Sequence, residues 1–158
     1  MFKLNNKFNK TSYFIKELKL CHVRLHDNSK FPWIMLIPKR AKVSQILDLN
    51  KKDQIQLLNE IQHCSKKMKQ HFKCNNLNIE KVGNIIPQLH IHIISRHKKD
   101  PTWPLPVWVT KPKPYLLTTT SLTTPNLTYT VLVVLAVLAV PAMPFYLSRT
   151  AKCVCCAP

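Results

Sequence analysis

His90 and His92 stand two residues apart in a short apolar stretch, with Gln88 two residues before them and Leu89, Ile91 and Ile93 interleaved. In an extended chain side chains alternate, so the apolar residues face a core while Gln88, His90 and His92 share the other face. Two imidazoles and an amide in register fit three readings. They can be polar groups with no reaction to perform, turned to solvent or to a polar part of a sheet. They can share a metal ion, with His22, His26 or Asp27 as a third ligand. Or one imidazole can attack an electrophilic phosphorus while the other stabilises or protonates the charge that develops. Imidazole suits that task because it is partly unprotonated near neutral pH.

The elements that must position these groups read as an α+β domain. Cys21, Val23 and Leu25 alternate with His22, Arg24 and His26, the period of a strand with one wet face. The turn DNSK leads to the nearly continuous apolar run FPWIMLIP, bounded by Pro32 and Pro38, and the two segments predict an antiparallel hairpin. A long helix follows. Asn50 is its N-cap, Ile55, Leu58, Ile61, Ser65, Met68 and Phe72 recur at three and four residues as the core stripe, and Lys51, Lys52, Glu60, Lys66, Lys67, Lys69 and Lys73 form the solvated side. Two strands complete the sheet, residues 77–82 and 88–95, joined through Gly83, Asn84 and Pro87.

Charge narrows the partner. The chain has 158 residues, 24 Lys plus Arg against 7 Asp plus Glu, and a formal charge of +17. Chemistry built on several carboxylates has few residues to draw on, and an anionic, phosphate-bearing ligand leads. Gly83 is the single glycine. Walker-type and dinucleotide-binding loops need several, so they are excluded. A non-catalytic nucleic-acid-binding protein is a rival reading, but it rests on charge alone, since no aromatics interleave a basic strand; nucleic acid is not the expected partner. The basic, polar N-terminus lacks a signal-peptide run and predicts a cytoplasmic protein. In that compartment the six cysteines, Cys21, Cys64, Cys74, Cys153, Cys155 and Cys156, read as thiols rather than bridges.

The stretch GNIIPQLHIHIISRHKKDPTWPLPVW resembles the histidine triad (HIT) family, whose signature is His-φ-His-φ-His-φ-φ with φ apolar. Here Gln88 replaces the first histidine, as in a similar glutamine-led bacterial branch, and the likeness covers most of residues 1–109. It implies a HIT-like fold: an antiparallel sheet, one long helix and a short N-terminal helix or strand. It also implies a nucleotide hydrolase or transferase acting at the α-phosphorus of a nucleoside phosphoramidate or dinucleoside polyphosphate. His90 matches the nucleophile and forms a nucleotidyl-histidine; its other ring nitrogen donates to a backbone carbonyl. His92 matches the histidine that contacts the α-phosphate. Gly83 and Asn84 occupy the place of the phosphate cradle, where backbone N–H groups suffice to bind an oxyanion. Asp27, or Asn28 if the turn shifts by one, matches the ribose-binding acid. Leu25 lines the base pocket, and Trp103 closes the site. Gln88 cannot exchange protons but keeps an orienting hydrogen bond. A purine nucleotide, no metal or other cofactor, and a homodimer formed through the helix and a strand edge complete the expectation.

Composition changes sharply near Lys113. Beyond it the only charged residues are Arg149 and Lys152, so residues 110–158 read as a Thr/Pro-rich and apolar tail outside the domain. Residues 127–147 are uncharged and long enough to span a bilayer, although Pro141 and Pro144 interrupt the run, and membrane attachment is left open.

Overall fold

The computed structural model describes residues 1–115. Helix α1 (Asn6–Thr11) begins at Asn5, whose side chain accepts from the Lys7 N–H at 2.9 Å. Strand β1 (Ser12–Glu17) follows, so the N-terminal segment supplies both a short helix and a strand. Strands β2 (Cys21–His26) and β3 (Trp33–Pro38) form the expected antiparallel hairpin, with Cys21 opposite Pro38 and Leu25 opposite Ile34. Helix α2 (Lys51–Phe72), strand β4 (Asn76–Glu80) and strand β5 (Ile91–Arg96) complete an antiparallel sheet of order β1-β2-β3-β5-β4.

Every residue of β3 and β5 is buried. That explains the unbroken apolar run in β3: a central strand covered on both faces has no wet side to mark with polar residues. On one face Val23, Leu25, Ile34, Leu36, Ile91 and Ile93 pack against Leu57, Cys64 and Met68 of α2. On the other, Trp33, Met35, Ile37 and Ile94 pack with Phe8 and Phe31. The face of β2 read as wet is therefore largely covered: Arg24 is buried, and it donates to Ser12 Oγ at 2.7 Å and to the Ser12 carbonyl at 2.9 Å.

Helix α2 starts at Asn50, as its sequence predicts, with the Asn50 side chain accepting from Asp53 N–H at 2.9 Å. The buried stripe differs from the expected one. It comprises Asp53, Leu57, Glu60, Cys64 and Met68, whereas Ile55 and Leu58 are 53% and 65% exposed. The helix has more apolar positions than one face can bury, and Glu60 displaces them because its carboxylate accepts from the N–H groups of Leu20 and Cys21 at 2.7 and 3.0 Å. These donors have left the β1–β2 pairing, and a buried N–H without a partner costs about 1–3 kcal/mol.

The compositional boundary also moves. Residues 110–115 lie against the domain: Ser29 N–H donates to the Lys113 carbonyl at 2.7 Å, Lys30 Nζ to Thr110 Oγ1 at 2.7 Å, and Tyr115 is buried. Loss of charge marks a change in the chain, but an aromatic residue can still dock where the β2–β3 turn offers polar partners. Residues 127–147 and Cys153, Cys155 and Cys156 lie outside the described residues. Cys21, Cys64 and Cys74 are free and buried. Among the described residues no helix is long and apolar enough to cross a membrane.

Candidate active site

Strand β5 begins at Ile91, so Gln88, Leu89 and His90 form its extended approach rather than its first residues. The approach is pinned by Leu89 N–H, which donates to the Val43 carbonyl at 2.9 Å. Leu89, Ile91 and Ile93 join the core under α2, and alternation sends His90 and His92 to the opposite face. Both are buried, with ring centroids 4.8 Å apart and planes at 83°. Three aromatic groups from distant segments surround them. Phe8 of α1 meets His90 edge-on at 5.1 Å, Trp33 of β3 meets His92 at 5.4 Å, and Trp108 meets His92 at 5.1 Å. His26, at the end of β2, lies 4.1 Å from Trp33 and 6.4 Å from His92.

The hydrogen bonds fix the two imidazoles in opposite tautomers. His90 Nδ1 is 2.6 Å from the Gln88 carbonyl, which can only accept, so Nδ1 carries the proton and Nε2 keeps its lone pair. His92 Nδ1 is 3.0 Å from Trp33 Nε1, which can only donate, so Nδ1 is the acceptor and neutral His92 carries its proton on Nε2. One ring offers a nucleophile and its neighbour a donor.

Burial holds all three rings neutral. Desolvation pushes His92 down to about 3, reinforced by His90 and His26, against a main-chain hydrogen bond at Val82 that acts the other way. Desolvation likewise lowers His26 to about 4. His90 is lowered first by burial and further by the Lys81 charge, with the Gln88 carbonyl opposing. Among the described residues no three side chains of His, Cys, Asp or Glu are arranged to hold a metal ion.

The remaining expected residues divide. Gln88 adjoins His90, but its carboxamide turns to the N-terminus, accepting from Asn5 N–H at 2.9 Å and donating to the Lys3 carbonyl at 3.1 Å. Gly83 and Asn84 lie in the loop between β4 and the histidine segment; Gly83 is half-buried, Asn84 is exposed, and Lys81 reaches back beside Gly83. Asp27 and Asn28 are buried and committed to the C-terminal segment. Asp27 Oδ1 accepts from Tyr115 N–H at 2.8 Å, and Asn28 Oδ1 from Lys113 N–H at 3.2 Å. Leu25 is not brought to the histidines: it is in the core under α2, because the alternation that turns His26 toward them turns Leu25 away.

Trp103 is also elsewhere. Its ring lies against the Arg96 guanidinium at 5.8 Å, and Trp108 covers His92 instead. Fully buried Arg96 arranges that loop by donating to Asp100 at 2.9 Å, Thr102 at 3.2 Å and the Leu105 carbonyl at 3.0 Å. Trp108 is then anchored by its indole N–H on Glu80. Sequence reasoning missed Trp33, Trp108 and Phe8. Trp33 carried a signal, since a tryptophan in an otherwise apolar buried strand needs an acceptor for its N–H. Phe8 and Trp108 carried none, because only the fold brings them there.

Comparison with known proteins agrees with this arrangement. A family model for the HIT domain matches residues 7–99. A histidine triad protein from Bradyrhizobium japonicum is 38% identical, with a TM-score of 0.70 over 72% of this chain and 85% of that one. Histidine triad proteins from Sinorhizobium meliloti and Marinobacter aquaeolei are 34% and 35% identical, each with a TM-score of 0.71 over 73% of this chain and 86% and 85% of theirs. No curated protein sequence matches at a significant level. With its HIT-like α+β fold, a family match over more than half its length and relatives above 30% identity, the chain belongs to the histidine triad family, whose members generally act on nucleotides.

Proposed function

We propose that the protein is a nucleotide hydrolase or transferase acting at the α-phosphorus of a nucleoside phosphoramidate or dinucleoside polyphosphate. The observation that carries this reading is the pair of opposite tautomers at His90 and His92. His90 Nε2 donates its lone pair to phosphorus as the bond to the leaving group breaks, and the leaving group departs with that electron pair and takes a proton from solvent. The backbone N–H groups at Gly83 and Asn84 face the charge on the phosphate oxygens, joined by His92 Nε2–H when the phosphate displaces its main-chain acceptor at Val82. Water then cleaves the nucleotidyl-histidine to release a nucleoside monophosphate. Gln88 takes no part in proton transfer, because a carboxamide does not titrate. The family resemblance assigns Asp27 to the ribose hydroxyls of a purine nucleotide, and Trp108 walls the site above His92. Incubation with adenosine phosphoramidate and diadenosine polyphosphates is expected to release adenosine monophosphate, with His90→Ala inactive and still folded. Equal turnover in that variant overturns the assignment.

A homodimer fits the exposed side of α2. Leu58 and Ile61 of the helix and Leu77 and Ile79 of the edge strand β4 line an apolar groove of about 530 Å³. A second copy burying this groove would extend the sheet edge and give the misplaced apolar residues of α2 a partner. Light scattering should return twice the chain mass, and a monomeric mass at micromolar concentration rejects this assembly.

A further inference from the structure

The substitution at the head of the motif has a use of its own in this chain. Gln88 reaches across sequence separations of 83 and 85 residues to bond two main-chain groups, the Asn5 N–H and the Lys3 carbonyl. In an extended segment these groups, two residues apart, point to one side, as they do toward a neighbouring strand. A carboxamide places one donor and one acceptor side by side and matches that edge. The two nitrogens of an imidazole diverge and cannot both meet it. The residue therefore works with two hands: its carbonyl holds His90 in the nucleophilic tautomer, and its side chain holds the N-terminal arm.

The arm needs the hold. Among residues 1–7 none is fully buried, and an open cleft of about 470 Å³ lined by Lys3, Asn5, Lys42, Val43, Pro87 and Gln88 runs beneath it. Phe2 and Leu4 pack only partly against the cluster of Phe8, Trp33 and Met35, and across the cleft the Gln88 bonds add a polar hold at Asn5 and Lys3. Beyond it the arm ends in α1, which delivers Phe8 against the His90 ring at 5.1 Å, and the Phe8 carbonyl accepts from Ser12 Oγ at 2.6 Å. We infer that Gln88 is a positioning residue, whose carboxamide clamps residues 1–8 over the histidine face and thereby keeps His90 dry. This inference rests on the proposed function for its catalytic consequence. The groups facing His90 are Lys81 from the loop after β4, His92 on β5 and His26 on β2, with Phe8 as the apolar cover. Burial is the leading cause of the lowered His90 affinity for protons, so releasing the arm raises it toward the ordinary value of 6.5.

Gln88→Met in the full-length chain keeps the length of the side chain and removes both bonds. Two readouts are independent of turnover. Hydrogen exchange at the Asn5 amide should quicken about tenfold or more, as expected when a local opening is no longer held. The His90 ring, followed by NMR, should titrate at higher pH than in the parent. Where turnover is measurable, the acidic limb of kcat/KM should move in the same direction, a change that a purely structural loss elsewhere would not cause. Gln88→Glu, ionised, keeps an acceptor for Asn5 but has no donor for Lys3, and should fall between the two in exchange rate. If Gln88→Met does not fold, Asn5→Pro, at a backbone φ of −65° that proline accepts, removes the N–H together with the α1 cap while Asn5→Ala removes the cap alone, and His90 should titrate higher in the first than in the second. An unchanged Asn5 exchange rate together with an unchanged His90 titration overturns the clamp. Absence of turnover in the parent chain would refute the proposed reaction and leave the first two measurements to decide this inference.

Discussion

The sheet has two buried faces, covered by different means. Under α2 the cover is a single long helix, and the contact is apolar throughout the centre, with Leu57, Cys64 and Met68 against Val23, Leu36, Ile91 and Ile93. Across the sheet the cover is assembled from the N-terminal arm and the loop after β5, and it encloses His26, His90, His92 and Arg24 with aromatic rings between them. The first face uses burial to hold the fold. The second uses burial to keep imidazoles neutral and to fix their protons, which stabilises nothing by itself because desolvating an ionisable group is unfavourable.

This division predicts that damage on the two faces is read by different instruments. His90→Ala should lower turnover at least about 10³-fold while the unfolding midpoint stays close to that of the parent. Met68→Ala, on the other face, should cost about 2–5 kcal/mol in denaturant unfolding through the cavity it leaves, with the chemical step little changed in the folded fraction. A stability loss in both, or an activity loss in both, would break the comparison.

Glu60→Ala sharpens it, because Glu60 is a buried charge in the middle of the α2 stripe. Two buried N–H groups, those of Leu20 and Cys21, lose their acceptor, and a loss of about 2–4 kcal/mol is expected by urea titration. Glu60→Gln, which still accepts, should recover part of it.

Acid distinguishes the faces next. His92 and His26 are neutral in the folded protein down to about 3 and about 4, whereas in the unfolded chain they take up protons below 6.5. They therefore cost no stability above pH 6.5, and stability is lost as the pH falls from there toward the folded values. By pH 5 each should account for about 2 kcal/mol of lost stability. His92→Gln should flatten the dependence of the urea midpoint between pH 7 and 5, and an unchanged slope would show that His92 is not held neutral by the fold.

The helix shows how periodicity can find an element and misplace its core. Asn50 and the apolar spacing located α2 to the residue, since a cap and a 3.6-residue period are local properties. The choice of face was not local. Ile55 and Leu58 are as apolar as Leu57 and Met68, and the assignment turned on Glu60, whose burial depends on two unpaired N–H groups forty residues earlier. A charged residue counts as a surface marker until its partners are known.

The sequence by itself determined the hairpin, the long helix, the extended segment that carries His90 and His92, and their common face, because alternation and capping act between neighbours along the chain. The motif also put His90 forward as the nucleophile of the proposed reaction. Tertiary structure alone decided the tautomers, the neutrality of the rings and the identity of their cover. The donor that fixes His92 is Trp33, from another strand; the ring beside His90 is Phe8, from the N-terminal helix; the one above His92 is Trp108 and not the Trp103 that the motif stretch offers. Hydrogen-bond direction and desolvation are properties of what surrounds an atom in space, and residues 16, 59 and 82 positions away supply those surroundings here.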